Sequence, residues 1–168
     1  MTPVNLMDAL AGRLQKLLAD YSANQPAGAV PISVYPGYVP VEETSKEKPS
    51  FLYVLVTATE DKGGNDLSTA TVEIGFSIYD DDPADGWRSL FNVIEHVRQD
   101  LLKYRFVNMK HRLELPVAMK IAAEQPWPQW QATMSVTYTI GHPEEEGMNF
   151  DDFQEVQAYP DYEEYKNH

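Results

Sequence analysis

Cysteine is absent from the chain. That excludes a disulfide framework, thiol chemistry and cysteine-ligated zinc, and it fits a reducing compartment. Basic residues are scarce: 13 Lys and Arg stand against 26 Asp and Glu, for a net charge of −13. A phosphate-binding surface needs clustered cations, because its affinity comes from released counterions. Nucleic acid and anionic membranes are therefore poor partners. Long apolar runs are missing too, and nothing approaches the roughly 18 residues that span a bilayer. The opening MTPVNLMDAL has no basic start and carries Asp8 where a signal peptide is apolar. It reads as a native helix of a cytoplasmic protein. The GxSxG, P-loop, GxGxxG and HExxH patterns are all lacking. With them goes every sharp catalytic hypothesis, so neither enzymatic activity nor a cofactor is expected.

What is present suits one domain. Hydrophobic residues make up 43% of 168, enough for a core without staples or metal. The acid is unevenly placed. From His142 onward nine Asp and Glu face one Lys, a net of −8, which leaves an ordinary −5 for the rest. The chain divides into a domain over 1–141 and an acidic extension over 142–168. The extension has no periodicity, and its acid is interleaved with Phe150, Phe153, Tyr159, Tyr162 and Tyr165. Such composition reads as a mobile segment whose aromatics suit docking on a partner.

The periodicities predict an α+β fold. Leu6, Leu10, Leu14, Leu17 and Tyr21 recur at helical spacing over 3–21, behind Thr2 as cap and Pro3 in the first turn. A short strand is expected at Ile32–Tyr35. A hairpin follows, with Phe51–Thr59 and Ser68–Tyr79 joined by a Gly-Gly loop. A second helix is placed at 83–104, with Asp82 as cap and Asp85 closing a capping box. Its stripe is Trp87, Leu90, Phe91, Ile94, Val97, Leu101 and Leu102. His111–Ile121 and Trp130–Ile140 form a second hairpin. Pro116, which has no N–H to donate, puts its strand at an edge or in a bulge. The expected architecture is a mostly antiparallel sheet of four to five strands, with both helices on one face.

Metal readings are weak. His111 and His142 fall at the meeting ends of a hairpin, near Glu144, Glu145 and Glu146, but bland surface histidines explain them as well. Asp80, Asp81 and Asp82 lack the spacing of a calcium loop, and helix capping already uses Asp82. No metal is expected. Trp127, between Pro126 and Pro128, sits off the regular sheet. It either covers the sheet end or faces a partner, with cover the favoured reading. Trp87 reads as core. Glu42, Glu43, Lys46 and Lys48 in the 38–50 loop, and Asp61, Lys62, Asn65 and Asp66 in the 60–67 loop, join Trp127 as candidates for protein contacts.

The hairpin, the helix WRSLFNVIEHVRQDLL and above all RLELPVAMKIAAEQPWPQWQATMSVTYTI resemble tail terminator, or tail completion, proteins of long-tailed phages and prophages. The likeness covers about residues 51–140. It implies a small α+β subunit that forms a ring, in the family a hexamer, on the head-proximal end of the tail tube. There the ring stops tube polymerisation and meets the head connector or neck protein. It also implies assembly in the host cytoplasm and a final place in the virion tail. The resemblance carries no catalytic residues, and the acidic extension departs from the family pattern. The competing reading from another class is an acidic protein-binding module or inhibitor that mimics nucleic acid.

Overall fold

A computed structural model describes residues 2–25, 31–40, 50–64, 66–143 and 146. Among these residues the fold is α+β, with two helices on one face of a six-stranded sheet. Helix α1 spans Pro3–Ala23, and the Thr2 hydroxyl accepts the Asn5 N–H at 3.3 Å. It buries Leu6, Leu10, Ala11, Leu14 and Leu18. Leu17 and Tyr21, expected in the stripe, are only partly buried beside this core.

Strands β1 (Ile32–Pro36), β2 (Ser50–Glu60) and β3 (Ser68–Tyr79) follow. Helix α2 (Trp87–Lys103) leads to β4 (Phe106–Val107), β5 (His111–Lys120) and β6 (Gln129–Ile140). The strand order is β1-β2-β3-β6-β5-β4. All pairings are antiparallel except β1 on β2, which is parallel. The sheet is therefore mixed, and its six strands exceed the expected four to five. Parallel pairing arises because the chain returns from the end of β1 before entering β2, instead of turning tightly. β4 is two residues long, too short for an alternation to register.

The alternations decide which face is covered. Ala70, Val72, Ile74, Phe76 and Ile78 of β3 all point to the helices, with Ala132, Met134, Val136, Tyr138 and Ile140 of β6 beside them. The opposite face carries Thr69, Thr71, Glu73 and Ser77 against Thr139, Thr137, Ser135 and Gln131. One hydrophobic cluster joins this face to both helices. Pro116 lies where the β5–β6 register slips between Glu114 and Ala118, so the proline sits in a bulge. Leu115 and Met119 of this strand are exposed.

The second helix starts later than expected. Asp82 Oδ1 accepts the N–H groups of Ala84 and Asp85 at 2.9 and 3.1 Å. This caps a separate turn over 83–86, and α2 proper begins at Trp87 with no side-chain cap. The helix buries Leu90, Val93, Ile94, Val97 and Leu101. Trp87 and Phe91 are 39% and 41% exposed, which corrects their assignment to the core.

Candidate interaction surfaces

The hydrogen bonds sort the loops into two ends. At one, the Asp80 N–H donates to the Pro128 carbonyl, and the Trp130 indole donates to the Asp80 carbonyl at 3.0 Å. Gly86 packs so close to the Trp130 ring that a Cβ there would collide with it. Asp80 also accepts the Ser89 hydroxyl at 2.5 Å, and the Ser50 hydroxyl accepts the Tyr79 N–H at 2.9 Å. All three tryptophans of the chain therefore gather at this tryptophan end, where α2 starts. Trp130 packs on the core. Trp127 is 54% exposed and does not cover the sheet, contrary to the favoured reading. Trp87 meets Phe91 edge to face at 5.7 Å, and the Arg88 guanidinium lies 4.4 Å from its ring centre. A cavity of about 310 Å³ opens here between Tyr21, Ser50, Tyr79 and Ser89. Burial raises the Tyr21 pKa.

At the other end, Ser68 pairs with Ile140 and Val107 with His111. The Arg112 N–H donates to Thr139 Oγ1 at 2.9 Å, and His111 Nδ1 donates to the Thr139 carbonyl at 3.0 Å. Arg13 reaches across from α1. It binds the Asp100 carboxylate at 2.8 Å, the Asp100 carbonyl at 2.9 Å and the Phe106 carbonyl at 3.3 Å. Beneath this pair the Tyr138 hydroxyl is buried with no hydrogen-bond partner among the described residues. Burial raises its pKa, with Arg13 acting against the shift and Asp100 with it.

From this basic end projects the run Lys103, Tyr104, Arg105, Phe106, Val107, Asn108, Met109, Lys110, His111, Arg112. It contains four cations and no acid, in a chain of net charge −13. Phe106 is 58% exposed and Met109 91%. Asn108 and Met109 both have positive φ, at 52° and 56°, in a turn closed by the Lys110 N–H on the Val107 carbonyl. That conformation is uncommon for a residue as bulky as methionine. Among the described residues, no carboxylate pairs with any of these four cations.

The residues singled out in the sequence divide between the two ends. Asp61, Lys62 and Asp66 are exposed at the basic end, where Asp61 accepts the Ser68 hydroxyl at 2.6 Å. Trp127 stands at the opposite end, so these candidates do not form one site. Glu42, Glu43, Lys46, Lys48 and Asn65 lie outside the described residues, as do Glu144, Glu145 and the extension from 147 on. His111 is buried, and His142 Nδ1 faces the Pro143 carbonyl at 3.1 Å. No three His, Asp or Glu among the described residues gather as a metal site. Asp80 and Asp82 use their carboxylates on local N–H and hydroxyl donors. Sequence reasoning missed the 103–112 run, although its lack of acid was a usable signal.

On the uncovered face, the Tyr53 ring crosses Gly75, filling the space a side chain would need. Its hydroxyl donates to Glu73 at 2.8 Å. Burial first, then the Glu73 hydrogen bond and charge, push its pKa up to about 12. No described helix is long and apolar enough to cross a membrane.

No protein-family model and no curated protein matches the chain. Solved structures do match, and one of them, whose name states no function, aligns with 82% of this chain and 97% of its own at 14% identity and a TM-score of 0.43. A likeness that slight carries no argument about function.

Proposed function

We propose that the protein is a tail terminator or tail completion protein of a long-tailed phage or prophage. In this reading a ring of subunits ends tail-tube polymerisation and joins the tail to the head connector. The observation that carries it is the separation of two unlike exposed patches. Trp87, Phe91 and Trp127 lie at one end, and Tyr104, Phe106 and Met109 at the other. The 17 residues of α2 between them span roughly 25 Å. A closed ring with one kind of contact joins two different patches of the same subunit. Each must bury on the order of 800 Å² per partner. The sequence resemblance over about residues 51–140 supplies the kind of ring. Assembly in the host cytoplasm and a place in the virion tail belong to the same proposal, and no catalysis or nucleic-acid binding is part of it.

Electron microscopy of the protein mixed with its tail-tube protein tests the proposal. Wild type should form rings, probe tube ends and limit tube length, while a variant with a shortened 60–67 loop should do so poorly. A protein that forms no rings, ignores tube ends and binds a basic partner with steep salt dependence would be the acidic mimic instead.

A further inference from the structure

We infer that the basic, apolar surface of residues 103–112 is the docking site of the chain's own acidic C-terminal segment. Three observations converge on that occupant. The first is charge. Lys103, Arg105, Lys110 and Arg112 have no carboxylate partner among the described residues, while residues 142–168 carry a net −8. The second is matching chemistry beside the charge. Tyr104, Phe106 and Met109 are exposed between the cations, and five aromatics alternate with acid along the segment. Aromatic and thioether side chains attract one another beyond simple area burial.

The third is position. β6 ends at Ile140, and Thr139 already receives hydrogen bonds from His111 and Arg112. The segment thus leaves the sheet beside the surface it would cover. Phe150 lies seven positions beyond Pro143, and extended chain reaches at most about 24 Å over that length. A tethered segment that can reach its site meets it at an effective concentration in the millimolar range. This favours the chain's own segment over a second copy. The contact stands whether or not rings form. Where they do, the segment and a neighbouring subunit compete for one surface.

The test uses the full chain. A carbodiimide joins a lysine amine to a touching carboxylate as an amide, and a mixture of ¹⁴N- and ¹⁵N-labelled protein tells links within a chain from links between chains. Mass spectrometry should find acids of 147–168 joined to Lys103 or Lys110 within single-label chains. The yield should fall severalfold at 1 M salt, where the Debye length is about 3 Å against about 10 Å at 0.1 M. Links of mixed label would overturn the inference in favour of a second copy. Links to Lys16 and Lys120 at equal yield, or none at the basic run, would overturn it outright. As a second readout, chymotrypsin should cut after Phe150 and Phe153 faster in a Phe106→Ser, Met109→Ser variant. Equal rates would also overturn it.

Discussion

The two ends of the molecule are built on different physics. At the basic end an ion pair crosses between the helices. Arg13 spans the Asp100 carboxylate, its carbonyl and the Phe106 carbonyl. At the tryptophan end the bonds that tie the loops to the sheet are neutral, from the Trp130 indole to the Asp80 carbonyl and from the Tyr79 N–H to the Ser50 hydroxyl, and the one ion pair there among the described residues, Arg88 with Asp85, is exposed. A charged clamp is stronger for each contact but responds to salt, whereas a neutral one does not. The ends are thus set to respond differently to conditions although one core runs beneath both.

Substitutions can break that contrast. Arg13→Ala should have the largest effect. Removing one member of a buried pair costs about 3–5 kcal/mol, and partial exposure of this pair lowers the expected loss to about 2 kcal/mol. Denaturant melts should show that loss shrinking at 1 M salt. Trp130→Phe keeps an aromatic ring but removes the donor to the Asp80 carbonyl and part of the indole's packing, for about 1.5–2 kcal/mol, with no salt dependence. A salt response at both ends, or at neither, would dissolve the comparison. Asp82→Ala removes the acceptor of two N–H groups and should cost about 1 kcal/mol, read as a lower melting midpoint with α2 intact by circular dichroism. Trp127→Ala should change stability by less than about 0.5 kcal/mol, because the ring is exposed, and under the proposed function it should weaken tube capping.

The smallest effect is on the uncovered face, which belongs to neither end. The Tyr53 pKa is raised from 10 to about 12. A raised folded-state pKa adds stability that is complete below pH 10 and is lost as pH rises through 12. Tyr53→Phe should remove the phenolate absorbance that develops near pH 12 and flatten the stability profile between pH 10 and 12.

Much of this was legible in the sequence. The sequence alternates with period two over Ala70, Val72, Ile74, Phe76 and Ile78 and over Ala132, Met134, Val136, Tyr138 and Ile140, and these are the residues buried, because each strand has one face on the core. Thr2 and Pro3 gave the start of α1. The stripe of α2 misled at its flank. Phe91 lies about 100° around the helix from Leu90, too far to share a narrow contact with a sheet, and Val93 takes the buried place instead. The direction of β1 was illegible, since five residues of strand look alike whichever way they pair. The tryptophan end could not be read as a surface, because it is assembled from segments far apart in the chain, whereas the basic run 103–112 is contiguous and only its lack of acid went unread. Trp87 and Trp127 meet the same end only through Asp80, Pro128 and Trp130.

The margins of the sheet carry a consequence of their own. One border is β1, five residues long and closed by Pro36. The other is β5, bulged at Pro116 and covered only at its start by two residues of β4. Among the described residues, neither border presents a long, straight row of free amides, which is the template on which sheets zip together and aggregate. Copies of this protein crowded at high concentration therefore have little to gain from lengthening one another's sheets into fibrils. Ordered association between copies is then left chiefly to side chains and loops, which can fix an angle between neighbours.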